Sequence, residues 1–192
     1  KARHWANCEL LPNGDLIVVG TDLSRGNEKI PNDAARYIAR FAWTGELLWK
    51  KRLAAHHDLE LTPRGQILTL RAVLRRCPSV DPIIETRDNR LTLLSPDGRI
   101  VEERSLFDML HAQPDRFQLQ DGNKHLRQGN YQIVLFHGNS VEWMSRPQLA
   151  TKHHYYALAN VLVCSRQQDS IMLFNWDRQE LVWSWGKGEL SG

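Results

Sequence analysis

Residues 57–73 read HDLELTPRGQILTLRAV. Apolar and polar residues alternate, stop at Pro63-Arg64-Gly65, and resume from Ile67 as a β-rich run. A period of two is the signature of a strand with one buried face. Proline presets the first central φ of a tight turn, and glycine takes the position that needs φ > 0. The stretch is therefore a strand, a turn and a second strand. The same pattern occurs near the start of the chain, where residues 8–20 read CELLPNGDLIVVG.

A second kind of hairpin follows each of these. Residues 35–53, ARYIARFAWTGELLWKKRL, turn at Thr44-Gly45-Glu46, and residues 89–106, NRLTLLSPDGRIVEERSL, turn at Pro96-Asp97-Gly98. Residues 160–186, NVLVCSRQQDSIMLFNWDRQELVWSWG, supply a third set that turns between Asp177-Arg178 and Glu180. One hairpin of each kind makes a four-stranded meander of about 50 residues, the unit of a β-propeller blade. The fold expected is all-β, with three blades at about 4–53, 54–105 and 130–186. Residues 105–130 between them read as a short helix, SLFDMLHA, capped by Ser105, followed by a polar loop. Three blades are too few to close a ring, since propellers have about four to eight. The chain is thus expected to be about half of a propeller, completed by a second copy or by a missing half.

Composition narrows the function classes. Lys and Arg number 25 against 22 Asp and Glu, for a formal net charge of +3, too balanced for a nucleic-acid surface. No apolar stretch is long enough to span a bilayer. The chain opens KARHWANCELLPNG without an initiator Met, which suggests a processed or truncated start, so the missing signal peptide does not assign a compartment. Cys8, Cys77 and Cys164 have no metal-binding spacing. Cys8 and Cys164 lie in strand-like runs, where a free thiol acts as a small hydrophobe, with one disulfide left open.

The three blades align on Glu9, Glu60 and Glu142 in their first strands. His4 and His137 then fall five residues before the glutamate, and His56 and His57 four and three before it. First strands line the channel of a propeller, so this register is expected to gather His4, His57, His137 and Asn139 into a polar funnel at one mouth. Any one of these histidines taken alone reads equally as a surface or satisfied core residue. Metal binding is the weaker alternative, because Asp58 is the only carboxylate at close spacing, and no metal site is expected. Gly138, inside VLFHGNSVEWM (134–144), is expected to let the backbone bend so that His137 and Asn139 turn inward.

The stretches HHDLELTPRGQIL (56–68), FHGNSVEWM (136–144) and residues 160–192 resemble the arylsulfotransferase (ASST-like) β-propeller family, in its His-Asp, His-x-Asn-Ser and Ser-x-Arg blocks. The resemblance covers most of residues 54–192 and, more loosely, the first blade. It implies a six-bladed propeller, periplasmic or extracellular, that moves a sulfuryl group from an aryl sulfate to a phenol through a histidine, with no nucleotide donor and no cofactor. It matches His57, His137 and Arg166 to catalytic positions and Asn139 to substrate binding; the register of the first strands adds His56 and His4 as further substrate contacts. An arginine fork suits two sulfate oxygens, and imidazole and amide N–H groups suit the others. Two departures stand out. Gly138 takes a position where Thr is common, and no residue here matches the family's nucleophilic histidine. A rival reading comes from FAWTGELLWKKRL (41–53) and FNWDRQELVWSWG (174–186). These resemble the tryptophan-docking repeats of quinoprotein-type propellers, some of which are non-catalytic scaffolds.

Overall fold

The computed structural model describes residues 3–22, 32–127 and 129–188. The chain is all-β and has the arrangement of a partial propeller. The first sheet is an antiparallel meander of β1 (Arg3–Leu10), β2 (Leu16–Asp22), β3 (Arg36–Phe41) and β4 (Leu47–Lys51). The second runs β5 (Ala55–Leu61), β6 (Ile67–Arg75), β7 (Glu85–Leu94) and β8 (Ile100–Ser105). One turn of helix, α1 (Asn32–Ala35), precedes β3, and α2 (Leu106–His111) follows β8. Next comes the hairpin β9 (Asn123–Arg127) and β10 (Asn130–Val134). The third sheet is β11 (Gly138–Trp143), β12 (Asn160–Ser165), β13 (Ser170–Asn175) and β14 (Glu180–Gly186), with a short helix α3 (Pro147–Ala150) between its first two strands.

The hairpin turns close on glycines with positive φ: Gly14 (88°), Gly45 (85°), Gly65 (73°) and Gly98 (77°). A side chain at these positions would strain the backbone, which is why the turn residues were readable. Helix α2 is capped by Ser105, whose hydroxyl accepts the Asp108 N–H at 3.0 Å.

Two features depart from the expected layout. The third sheet begins at Gly138, not near residue 130. Residues 130–134 form β10, which pairs in parallel with β7, while β9 occupies part of the expected polar loop. Strand β7 is long enough for this because its second half pairs with β8 and its first half is left for β10. The three cysteines are free, and the one in the core is Cys77, whereas Cys8 is exposed.

Two of the three hydrophobic clusters among the described residues lie between the sheets, and the third, Val18, Tyr37, Ala39 and Phe41, lies on the first sheet alone. Ile17, Val19 and Ile38 of the first sheet pack with Ala55, Leu59, Ile67 and Leu94 of the second. Leu68, Leu70, Leu91 and Leu93 pack with α2, Phe136, Val163 and Phe174 towards the third. Burial of such side chains contributes about 1.5–3 kcal/mol each. Tryptophans tie the seams: Trp49 Nε1 donates to the Pro96 carbonyl at 3.1 Å and Trp176 Nε1 to Glu102 at 2.7 Å.

The inner strands β1, β5 and β11 are held side by side through Asp58. One of its oxygens accepts from the Asn7 side-chain amide in β1 and, at 3.0 Å, from the Leu59 N–H. The other accepts the Val141 N–H of β11 at 2.9 Å. One carboxylate on β5 therefore clasps all three inner strands.

Candidate active site at the head of the inner strands

Each inner strand carries a bulge at the same level. Pairing skips Ala6 in β1, His57 and Asp58 in β5, and Asn139 in β11. Bulges re-aim side chains next to functional sites. His57 (φ 63°) and His137 (φ 53°) both occupy the left-handed region, which is uncommon for a residue with a Cβ, though His is among those that tolerate it. Such backbone is held in place by its surroundings and concentrates at functional sites.

The bend at the third sheet is therefore made by His137 and not by Gly138, whose φ is not positive. Gly138 is needed for space. A Cβ there would meet the Leu70 side chain at 3.1 and 3.2 Å and Asn89 Oδ1 at 3.3 Å.

The His57 and His137 rings lie 5.0 Å apart between centroids, tilted by 59°. With Arg36, His56, Arg87, Asn89 and Val134 they line a cleft of about 20 Å³. That is room for about one water or one oxygen of a larger anion. Arg87 is buried and paired with Asp33 of α1. Burial, then the Arg36 and Arg166 charges, hold His57 below the usual imidazole range, and Asp58 pulls the other way. His56 is held well below it, chiefly by burial. Both are therefore neutral at pH 7.

Not every expected residue reaches this cleft. His56 is 5% exposed, and both its ring nitrogens bond within the protein, Nδ1 to His57 Nδ1 at 2.7 Å and Nε2 to the Asn89 amide at 2.9 Å. It has no ring nitrogen left for a substrate. His4 is exposed on β1 opposite Thr21 and is not part of the cleft lining. Arg166 and Asn139 line a neighbouring cavity of about 270 Å³ with Ser165, Asp169, Ser170 and the exposed Trp185. The walls of the two hollows are tied through the backbone, where the Arg166 N–H donates to the His137 carbonyl at 3.2 Å.

Arg36, Arg87 and Asn89 were not anticipated. A signal for two of them stood in the sequence: Thr86-Arg87-Asp88-Asn89 is a run of four polar residues inside a strand, and all four are buried. Arg87, Asp88 and Asn89 each find a partner, in Asp33, Ser105 and His56, as most buried polar groups do. Among the described residues no group of three or more His, Cys, Asp or Glu side chains could hold a metal ion. Nor is any helix there long and apolar enough to cross a membrane.

Two imidazoles on left-handed backbone, beside guanidinium groups at a strand-end opening, offer hydrogen-bond donors of the kind that suit an anionic, multi-oxygen group. The family model of arylsulfotransferase (ASST) matches residues 6–190, and the chain belongs to that family. No curated protein matches the sequence.

Proposed function

We propose that this site transfers a sulfuryl group from an aryl sulfate to a phenolic acceptor, outside the cytoplasm and without a nucleotide donor. Family membership supports the general activity. The observation that carries the residue roles is the pairing of His57 and His137, 5.0 Å apart on left-handed backbone beside arginines. One sulfuryl oxygen enters the small cleft and is met by His57. Arg166 and Asn139 hold the other oxygens from the larger cavity, where Trp185 offers a face to the aryl ring.

The covalent carrier is a further histidine that residues 1–192 do not match, supplied by another part of the ring. Its neutral nitrogen attacks sulfur, and the S–O bond breaks with its electron pair on the phenolate oxygen. That oxygen takes a proton held by His137. In the second half-reaction the acceptor phenol attacks sulfur, the N–S bond breaks, and the acceptor's proton returns to His137. Such transfer runs mainly on positioning and on stabilising charge at the equatorial oxygens, as in phosphoryl transfer.

The test is incubation of the full-length protein with a chromogenic aryl sulfate and an acceptor phenol. Phenol release that collapses in Arg166→Ala and His137→Asn supports the reading. No release, or equal release from wild type and both variants, overturns it and leaves a binding scaffold.

A further inference from the structure

We propose that Asn89 is a positioning residue that fixes the tautomer of His57 through His56, so that His57 offers an Nε2–H donor to the oxyanion in the cleft. The proposal rests on the sulfuryl-transfer reading for what the donor meets, but its geometry stands alone. Asn89 is 3% exposed on β7. Its Oδ1 accepts the Gly138 N–H at 2.7 Å, and its Nδ2 donates towards the Arg71 carbonyl at 3.5 Å. A backbone N–H can only donate and a carbonyl can only accept, so the amide has one orientation.

The rest follows in sequence. Nδ2 lies 2.9 Å from His56 Nε2, so that nitrogen must present its lone pair and the His56 proton must sit on Nδ1. His56 Nδ1 lies 2.7 Å from His57 Nδ1. Since His56 donates there, His57 accepts, and the His57 proton sits on Nε2. Among the described residues that Nε2 makes no hydrogen bond, and the ring lines the cleft. The chain Gly138, Asn89, His56, His57 thus converts a fixed backbone N–H into a fixed donor at the opening. A neutral imidazole held this way stabilises developing charge without giving up its proton.

The direct test is ¹⁵N–¹H correlation of the histidine rings in the full-length protein labelled at histidine. The expected result is one tautomer for each ring: proton on Nδ1 for His56 and on Nε2 for His57. Either proton found on the opposite nitrogen overturns the proposal, whatever the enzyme does. The second arm is Asn89→Asp at pH 8. A carboxylate can only accept from His56 Nε2, so both rings should exchange tautomer and His57 should lose its donor. Unaltered ring spectra in a folded Asn89→Asp overturn the proposal. In the aryl sulfate assay kcat should fall about 100-fold with KM little changed, the cost of one oxyanion donor. Correct tautomers in a protein with no transferase activity would uphold the relay and sink the transferase reading. Reversed tautomers in an active protein would do the opposite.

Discussion

The same three inner strands carry two polar levels, and the levels obey different rules. At the strand heads, His56, His57 and Asn89 are bonded to one another, and the left-handed backbone of His57 and His137 is held by packing. A few residues along, Glu60 feels the charges of Glu9 and Glu142 on the neighbouring strands. Burial first, then these like charges, push its carboxyl up to about 7. One level assembles groups that complete each other, and the other gathers groups that repel. Between them sits Asp58, whose carboxylate binds all three strands. A site at the head of the strands need not be the part that holds the strands together, and single substitutions can separate the two.

The largest separation is expected at His137. Asparagine also tolerates the left-handed region, so His137→Asn keeps the backbone while removing the imidazole. Turnover of an aryl sulfate should fall about 1,000-fold, within the range for a positioned proton donor. The urea midpoint should stay within the effect of an ordinary surface change. A large loss of stability would show that the histidine level is structural after all.

Asp58→Ala should do the reverse. It removes acceptors for three N–H groups, two of them backbone, and should cost about 3 kcal/mol in chemical denaturation. Asp58→Asn, which keeps one acceptor oxygen, should cost less. Equal stability of Asp58→Ala and wild type would mean that the inner strands are held by side-chain packing alone.

How much of this was readable in advance depended on which physical signal each residue leaves. Gly14, Gly45, Gly65 and Gly98 announced their turns because only glycine adopts those φ values without strain. The register on Glu9, Glu60 and Glu142 was legible because period and strand order fix it, and Glu60 does feel the charges of the other two. The histidines followed that register only in part. His57 and His137 meet, while His4 stays on the exposed edge of β1 and Asn139 lies in the next cavity. Asn89 and Arg87 left a signal only as part of a polar run inside a strand, because a single polar residue on a strand reads as outward-facing until its partners are known. Gly138 was misread for a related reason. Its sequence signal is freedom of φ, but its use is closeness to Leu70 and Asn89, and the unusual φ belongs to His137.

The glutamate level gives a smaller effect, opposite in sign. Glu60→Gln removes the repulsion and should stabilise the fold by about 1 kcal/mol at pH 8, after allowance for solvent screening. At pH 3, where the carboxyl is protonated in folded and unfolded chains alike, the gain should vanish. Aryl sulfate turnover at neutral pH should not change. A destabilising Glu60→Gln would mean that the carboxylate has a stabilising role here.

The pH dependence of stability brings the two levels into direct opposition. Glu60 titrates higher folded, at about 7, than its ordinary 4.5. Between those values the folded chain binds more protons, so this group's contribution falls as pH rises from 4.5 to 7. His56 and His57 titrate lower folded than their ordinary 6.5. The unfolded chain then binds more protons, so their contribution is fully present above pH 6.5 and is lost as pH falls through it. The two slopes partly cancel between pH 5 and 7, and the wild-type protein should show a shallow dependence there. Glu60→Gln should uncover the histidine slope, with stability falling on acidification. His57→Asn takes away one of the two histidine contributions and should shift the curve the opposite way from Glu60→Gln, with less stability lost on acidification than in wild type. Denaturation midpoints of the three proteins across that interval read both slopes, and parallel curves would show that the two levels of the inner strands do not titrate as separate systems.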